Sequence, residues 1–435
     1  MRRVLFLLCV AGCLLGTVAA SAAPSTKGRT AEAPTETAAY WCARDPNGDQ
    51  VILDAAEVQK LNVKIQQRSD SIVALSEYPS IMSGDAIRSY MQQNVPGQQG
   101  LYTKGKPLTA VAYENALYER AIAQVQESNP VRYAVTTQRM DLRLLPVADG
   151  WFEDAADTHY DDLQATAVDP AEPVAVLGQS RSGVFSFVQM RNYRGWLETK
   201  KLAFTDYDHW MHYTAPARFL VVTKNLLTLR DEKQELLFQM GSRIPLIGKK
   251  GAGWQVMIPA VHNGHLQEHS IYLPEQGVHE GYLPYTRHTL LQQAFGFLGD
   301  VYGWGGMDHS VDCSGFVGDV YRTVGIELPR DARQQEKVFN TIVSLDGLGS
   351  DERLAAVQAA QPGDLLFRPG HVMMYLGQTE NGQPMIIQSV SSYYTFADGV
   401  GTKHYVRRVL VSGLDFLNSR AVSTLDALTH IGSMQ

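Results

Sequence analysis

Two residues of this chain have the types and the setting for thiol chemistry. Asp312-Cys313-Ser314-Gly315-Phe316 puts a cysteine in the expected first turn of a helix, and 58 positions later Gly370-His371-Val372-Met373-Met374-Tyr375 puts a histidine at the head of an expected strand. A free thiol titrates near about 8.5, so little of it is thiolate at neutral pH; a helix N-terminus and a nearby imidazolium both lower that value. Cys313 has the first by position and gains the second from His371, as a nucleophile and its base. Asp312 reads as the N-cap, which leaves backbone N–H groups near Cys313 to hold an oxyanion. One such donor is typically worth about 2.7–4 kcal/mol of barrier.

Register supplies a third member. Gly, Asn and Pro between 377 and 384 mark a hairpin loop, placed at Gln378–Asn381, so antiparallel partners sum to 759 and His371 falls opposite Gln388. Opposed residues share a face with Cβ atoms about 4.5–5.5 Å apart. A Gln388 carbonyl there accepts the second imidazole N–H and fixes the tautomer without adding charge. A one-residue slip would turn Gln388 away. Taken alone, Cys313 reads as a buried structural thiol; the flanking Asp and Ser-Gly and the distant histidine give it the catalytic reading. His309, in a polar loop before the helix, is the alternative base. HExxH and Cys–His ligand spacings are lacking, so neither metal nor cofactor is expected.

The elements that must position these residues come in three stretches. From Asp54, Val58, Leu61 and Ile65 recur at helical spacing, and a second helix is expected from Leu108 to Gln126, so 24–140 reads as a mainly helical region with no chemistry of its own. Short β-rich runs follow. Glu172–Leu177 and Val184–Met190 flank a turn, and about 70 residues on, Ile244–Ile247 and Trp254–Ile258 flank the glycine turn Gly248–Gly253. This repeat predicts two small β-barrels, at 141–205 and 206–285. The turn has neither a GxxxxGK[ST] pattern nor a following helix, and reads as a hairpin tip. In 286–420, Thr286 caps a helix carrying Leu290, Leu291, Ala294, Phe295 and Leu298. A helix from Cys313 to Val324 stops at Gly325, and strands follow at Asp364–Arg368, His371–Gly377 and Pro384–Val390. The fold class is α+β, multidomain.

The 435 residues carry 38 basic and 45 acidic side chains, a formal charge of -7, which gives no basic footprint for nucleic acid. Residues 1–23 read as an export signal, with Arg2 and Arg3 ahead of an apolar run. Two exits stay open. Val10-Ala11-Gly12-Cys13 resembles a lipobox that would lipidate Cys13 and attach the protein to a membrane; Ala20-Ser21-Ala22 suits plain cleavage. Either way export to the periplasm or cell envelope is expected. Cys42 and Cys313 are the cysteines beyond the signal, and two are too few for a disulfide framework, so a free Cys313 is expected.

Tyr302-Gly303-Trp304-Gly305-Gly306, Asp312–Phe316, Leu328-Pro329-Arg330-Asp331, Pro362-Gly363-Asp364 and His371–Tyr375 together resemble the NlpC-type cell-wall cysteine peptidases, over about 286–415. The resemblance implies a papain-like catalytic fold with Cys313 as nucleophile, His371 as base and Gln388 as third polar residue, where many members have His. It also sets Tyr302 beside the nucleophile and Asp312, Ser314 and Asp331 around a substrate N-terminal amine. The two β-repeats are similar to the SH3-like pair of a subgroup that cleaves γ-D-glutamyl–diamino acid bonds in murein peptides, with Tyr193 as the first barrel's contact to the cleft. In that subgroup the substrate would be L-Ala-γ-D-Glu-diaminopimelate with a free amine. The alternative is a hydrolase of intact peptidoglycan with the barrels as wall-binding modules.

Overall fold

A computed structural model describes residues 34–230 and 235–434. The signal segment, with Cys13, lies outside the described residues.

The first long helix, Ala55–Arg68, begins where the sequence expects it. Asp54 accepts from Ala56 and Glu57 N–H, and Glu57 reaches back to the Asp54 N–H, closing a capping box. Its stripe of Val58, Leu61 and Ile65 does not build a separate helical core. It joins Trp41 and packs into the same core as Phe316, Val317 and Val320 of the nucleophile helix. Helix Gly84–Gln92 instead sends Ile87 and Met91 into the barrel core beside Phe187 and Trp196. Helix Ala110–Glu119 is shorter than the expected span and shares a core with Leu145, Trp151 and Leu163. The N-terminal region is therefore divided between its neighbours. Arg132–Thr136 already pairs with Pro173–Gln179, so the first barrel begins before 141. A run of Tyr, Ala, Val and Thr has strand propensity, but nothing local separates it from the helices before it.

The two barrels share one hydrogen-bonded sheet of twelve strands. They are joined where Leu202–Thr205 of the first runs parallel to His265–Pro274 of the second, Phe204 opposite His265. The glycine turn is a hairpin tip, with Lys250 paired to Gly253 and Gly251 at φ 60°. One apolar core runs through both barrels, including Trp196, Leu220, Phe238 and Ile258.

The C-terminal sheet has six antiparallel strands in the order Thr341–Ser344, His430–Ser433, Leu365–Arg368, His371–Gln378, Pro384–Ala397, Val400–Ser412. Period-two alternation sorts its side chains. Val372, Met374 and Leu376 meet the nucleophile helix, and Met373 and Tyr375 join the core under helix Ser350–Ala359. The last two strands extend past Val390, where the sequence reading stops, into a long two-stranded arm. Helices over an antiparallel sheet, with two barrels before them, make the α+β multidomain architecture.

Candidate active site

Cys313 opens helix Cys313–Arg322, and Asp312 is its N-cap, accepting from the Gly315 N–H at 2.8 Å. Gly325, at φ 84°, stands just past the helix end. Backbone N–H groups of Ser314 and of Val372, one residue beyond His371, both approach the thiol. Burial nevertheless pushes the thiol up to about 11, with the Asp312 carboxylate adding to it. Burial and the Arg368 charge push His371 down to about 3. This corrects the expectation of a lowered thiol pKa. In the substrate-free cleft desolvation outweighs the helix terminus, so the resting pair is neutral thiol and neutral imidazole.

Gln388 is where a base-orienting group should be. His371 Nε2 lies 2.7 Å from Gln388 Oε1, Gln388 Nε2 donates to Ser412 Oγ at 2.9 Å, and Ser412 Oγ donates to the Gly413 carbonyl at 3.0 Å. The chain has one polarity. Ser412 spends its proton on a carbonyl, so it must accept from the amide NH2, which turns the amide oxygen toward the ring. Nε2 therefore carries the imidazole proton and Nδ1 is left as the basic nitrogen.

The register that achieves this differs from the expected one. The hairpin loop is displaced toward the C-terminus, and Gln378 pairs with Pro384, a sum of 762. That odd displacement from 759 would have put Gln388 on the wrong face. A bulge between Tyr375 and Gly377 removes one residue, so Met374 pairs with Ile387 at 761. Carried one residue further, Gln388 stands opposite Met373 and diagonal to His371, on the same face and within reach of a long side chain. Gln388→Ala should lower kcat by about 10²-fold with an unchanged far-UV spectrum, measured by steady-state peptide hydrolysis. A near-wild-type kcat would mean that another group orients His371.

A cleft of about 280 Å³ brings together Cys313, His371, Gln388 and Tyr302 with Arg368, Tyr393 and Tyr394. Cys313 and His371 are each 7% exposed and Gln388 2%. Tyr302 faces Tyr160 from the first barrel, ring centroids 6.2 Å apart, and burial holds its phenol far above the usual range. His309, the alternative base, is exposed at φ 53° and does not line this cleft. Cys42 and Cys313 are both free thiols.

The other expected contacts divide in two. Asp312 and Ser314 turn inward. Arg330 donates to Asp312 Oδ2 at 2.6 Å and Oδ1 at 3.1 Å, to Ser314 Oγ at 3.0 Å and to barrel residue Thr166 at 2.9 Å. Asp312 also accepts from the Gly305 N–H. The Arg330 charge and these donors hold Asp312 below the carboxylate range against the opposing effect of burial. Both side chains are thus engaged in seating the nucleophile loop. Asp331 and Tyr193 instead line a separate groove of about 300 Å³ between the first barrel and the catalytic domain, with Asp70, Tyr90 and Arg194. Burial raises Asp331 and pushes Tyr193 up to about 12. Among the described residues no side chain donates to the Asp331 carboxylate.

Two profile matches bear on this geometry. The NlpC/P60 family matches residues 299–407, from ahead of the Tyr302 motif to the last strand, and an SH3 domain of the SH3b1 type matches 150–198. Residues 299–407 are an NlpC/P60 domain. Its motif order, nucleophile helix and base strand are those just described. The chain is 34% identical over 115 residues to dipeptidyl-peptidase 6 of Lysinibacillus sphaericus, covering 25% of this chain and 38% of that one. It is 28% identical over 191 residues to γ-D-glutamyl-L-lysine dipeptidyl-peptidase of Bacillus subtilis, covering 43% and 58%. The matches thus span between about two fifths and three fifths of these relatives' length. A solved NlpC/P60 endopeptidase from Photobacterium damselae subsp. piscicida shares the fold with TM-score 0.71 at 17% identity, covering 89% of this chain and 94% of that one.

Proposed function

We propose that this protein is a cysteine peptidase that hydrolyses the γ-D-glutamyl–diamino acid bond of murein peptides with a free N-terminal L-Ala. Its setting would be cell-wall turnover or recycling after export to the envelope. The observation that carries the reading is the shared cleft of Cys313 and His371, with His371 held in one tautomer by Gln388 and Ser412. The thiol passes its proton to His371 as sulfur attacks the γ-glutamyl carbonyl, and helix N-terminal N–H groups hold the oxyanion. The imidazolium then protonates the departing amine, and water, deprotonated by His371, hydrolyses the thioester.

Two features support the substrate. The Bacillus subtilis relative is named as a γ-D-glutamyl-L-lysine dipeptidyl-peptidase, a γ-D-glutamyl–diamino acid bond. Asp331 is a partly buried carboxylate with no donor among the described residues, facing a groove walled by Tyr193 of the first barrel. Burial already disfavours its charge, and a peptide ammonium would offset that. Free L-Ala-γ-D-Glu-diaminopimelate should therefore be cleaved about 10²-fold faster, in kcat/KM, than its N-acetylated form. Equal rates would favour the second reading, a hydrolase of intact peptidoglycan. That reading draws on the open groove of about 870 Å³ at the barrel junction, lined by Arg132, Tyr133, Phe204, His209, His265 and Glu268.

A further inference from the structure

Arg368 is a cation that the mechanism above does not use. It ends strand Leu365–Arg368, opposite His371 across a tight two-residue turn, and lines the cleft with Cys313. Its Nε is buried without a hydrogen-bond partner, and among the described residues no carboxylate pairs with its guanidinium. The buried Arg330 and Arg143, by contrast, are paired, with Asp312 and Asp161. A partly desolvated guanidinium with no counter-ion, beside a reacting centre, is an anion site waiting for its ligand.

Its position says which anion. Given the proposed reading, the amine end of the peptide lies toward Asp331 and Tyr193, on the barrel side. The walls around Arg368 are Ser391–Tyr394 and Phe416–Thr424, all from the catalytic domain. The acyl half of the substrate takes the first side, so the leaving diamino acid takes the second. Diaminopimelate carries a carboxylate at the end of its side chain where lysine has none. We propose that Arg368 receives that side-chain carboxylate and so selects diaminopimelate over lysine. The substrate is then read at both ends by opposite charges, its ammonium by Asp331 and its distal carboxylate by Arg368, with the scissile carbonyl at Cys313 between them.

The test compares L-Ala-γ-D-Glu-diaminopimelate with L-Ala-γ-D-Glu-L-Lys on wild type and Arg368→Gln. Both peptides keep the same α-carboxylate, so the difference isolates the distal group. Wild type should favour the diaminopimelate peptide by roughly tenfold or more in kcat/KM, and Arg368→Gln should bring the two within about twofold by slowing the first. Because the readout is a ratio within one protein, partial loss of folded enzyme does not affect it. An unchanged preference in the variant, or none in wild type, overturns the role of Arg368 while leaving the γ-glutamyl reading in place. An equal loss on both peptides assigns Arg368 to the shared chemistry and also overturns it. If wild type cleaves neither peptide, the parent reading falls and this inference with it.

Discussion

Cys313→Ala should lower kcat for peptide hydrolysis by a factor on the order of 10⁶. Removing one member of a nucleophile–base pair commonly costs about as much as removing the whole unit, because His371 and the oxyanion donors have nothing else to act with. The other described thiol, Cys42, is partly buried against the same core but does not line the cleft, and so offers no substitute. Cys313→Ser keeps the volume of this buried position and should be equally inactive, since a hydroxyl is a far weaker acid than a thiol. Having both variants separates chemistry from folding. Turnover in either, measured by release of the diamino acid, would remove Cys313 from the mechanism.

The second large effect is on stability. Arg330→Met should cost about 3–5 kcal/mol, measured by urea unfolding, because it strands the Asp312 carboxylate in the interior. It also removes the bond to Thr166 that ties the nucleophile loop to the first barrel. The pH dependence has a definite sign. The pKa of Asp312 is depressed in the folded protein, so its stabilisation is present above the unfolded value of about 3.9 and is lost as pH falls through the lower folded value. In Arg330→Met burial dominates and raises that pKa above its unfolded value, so protonation relieves the stranded charge: the deficit relative to wild type should shrink as pH falls through the raised value, and Asp312 should no longer contribute to acid loss of stability. A variant as stable as wild type, with the same acid profile, would mean that the pair contributes nothing net.

The nucleophile and base were legible because their signals are local. Asp312 before Cys313 is a cap, the stripe after it is a helix face, and His371 heads an apolar alternation. Gln388 was found by register, yet through a pairing that the loop displaces and the bulge at residue 376 restores. Only face parity, not distance along the strand, survived from sequence to structure. What stayed hidden is tertiary. That Asp312 and Ser314 are occupied depends on Arg330, which no local pattern assigns to them. That Arg368 and Asp331 lack partners among the described residues follows only once every neighbouring chain segment is in place. The division of the N-terminal helices among three cores was equally invisible, since an amphipathic stripe states that a face is buried and not against what. The arm beyond Val390 runs Ser391-Ser392-Tyr393-Tyr394-Thr395, which lacks the apolar–polar alternation that marks a half-buried strand.

Asp169 stands where three bodies meet. This first-barrel carboxylate accepts from Gln239 N–H and Ser242 Oγ of the second barrel, and Arg322 of the catalytic domain approaches it at 3.8 Å. Arg322 also donates to the Gly241 carbonyl, and Asn225 of the second barrel donates to Asp300 of the catalytic domain. Each body therefore touches both others. Two bodies joined along one seam keep a hinge axis, whereas three joined pairwise close a triangle and keep none. The groove at Asp331 and the cleft at Arg368 are then fixed jaws, set apart like the stops of a gauge. Under the function proposed above, such a device would not close on its substrate; it would measure the length of a small peptide between two charges, and longer or blocked chains would fail by not fitting the span.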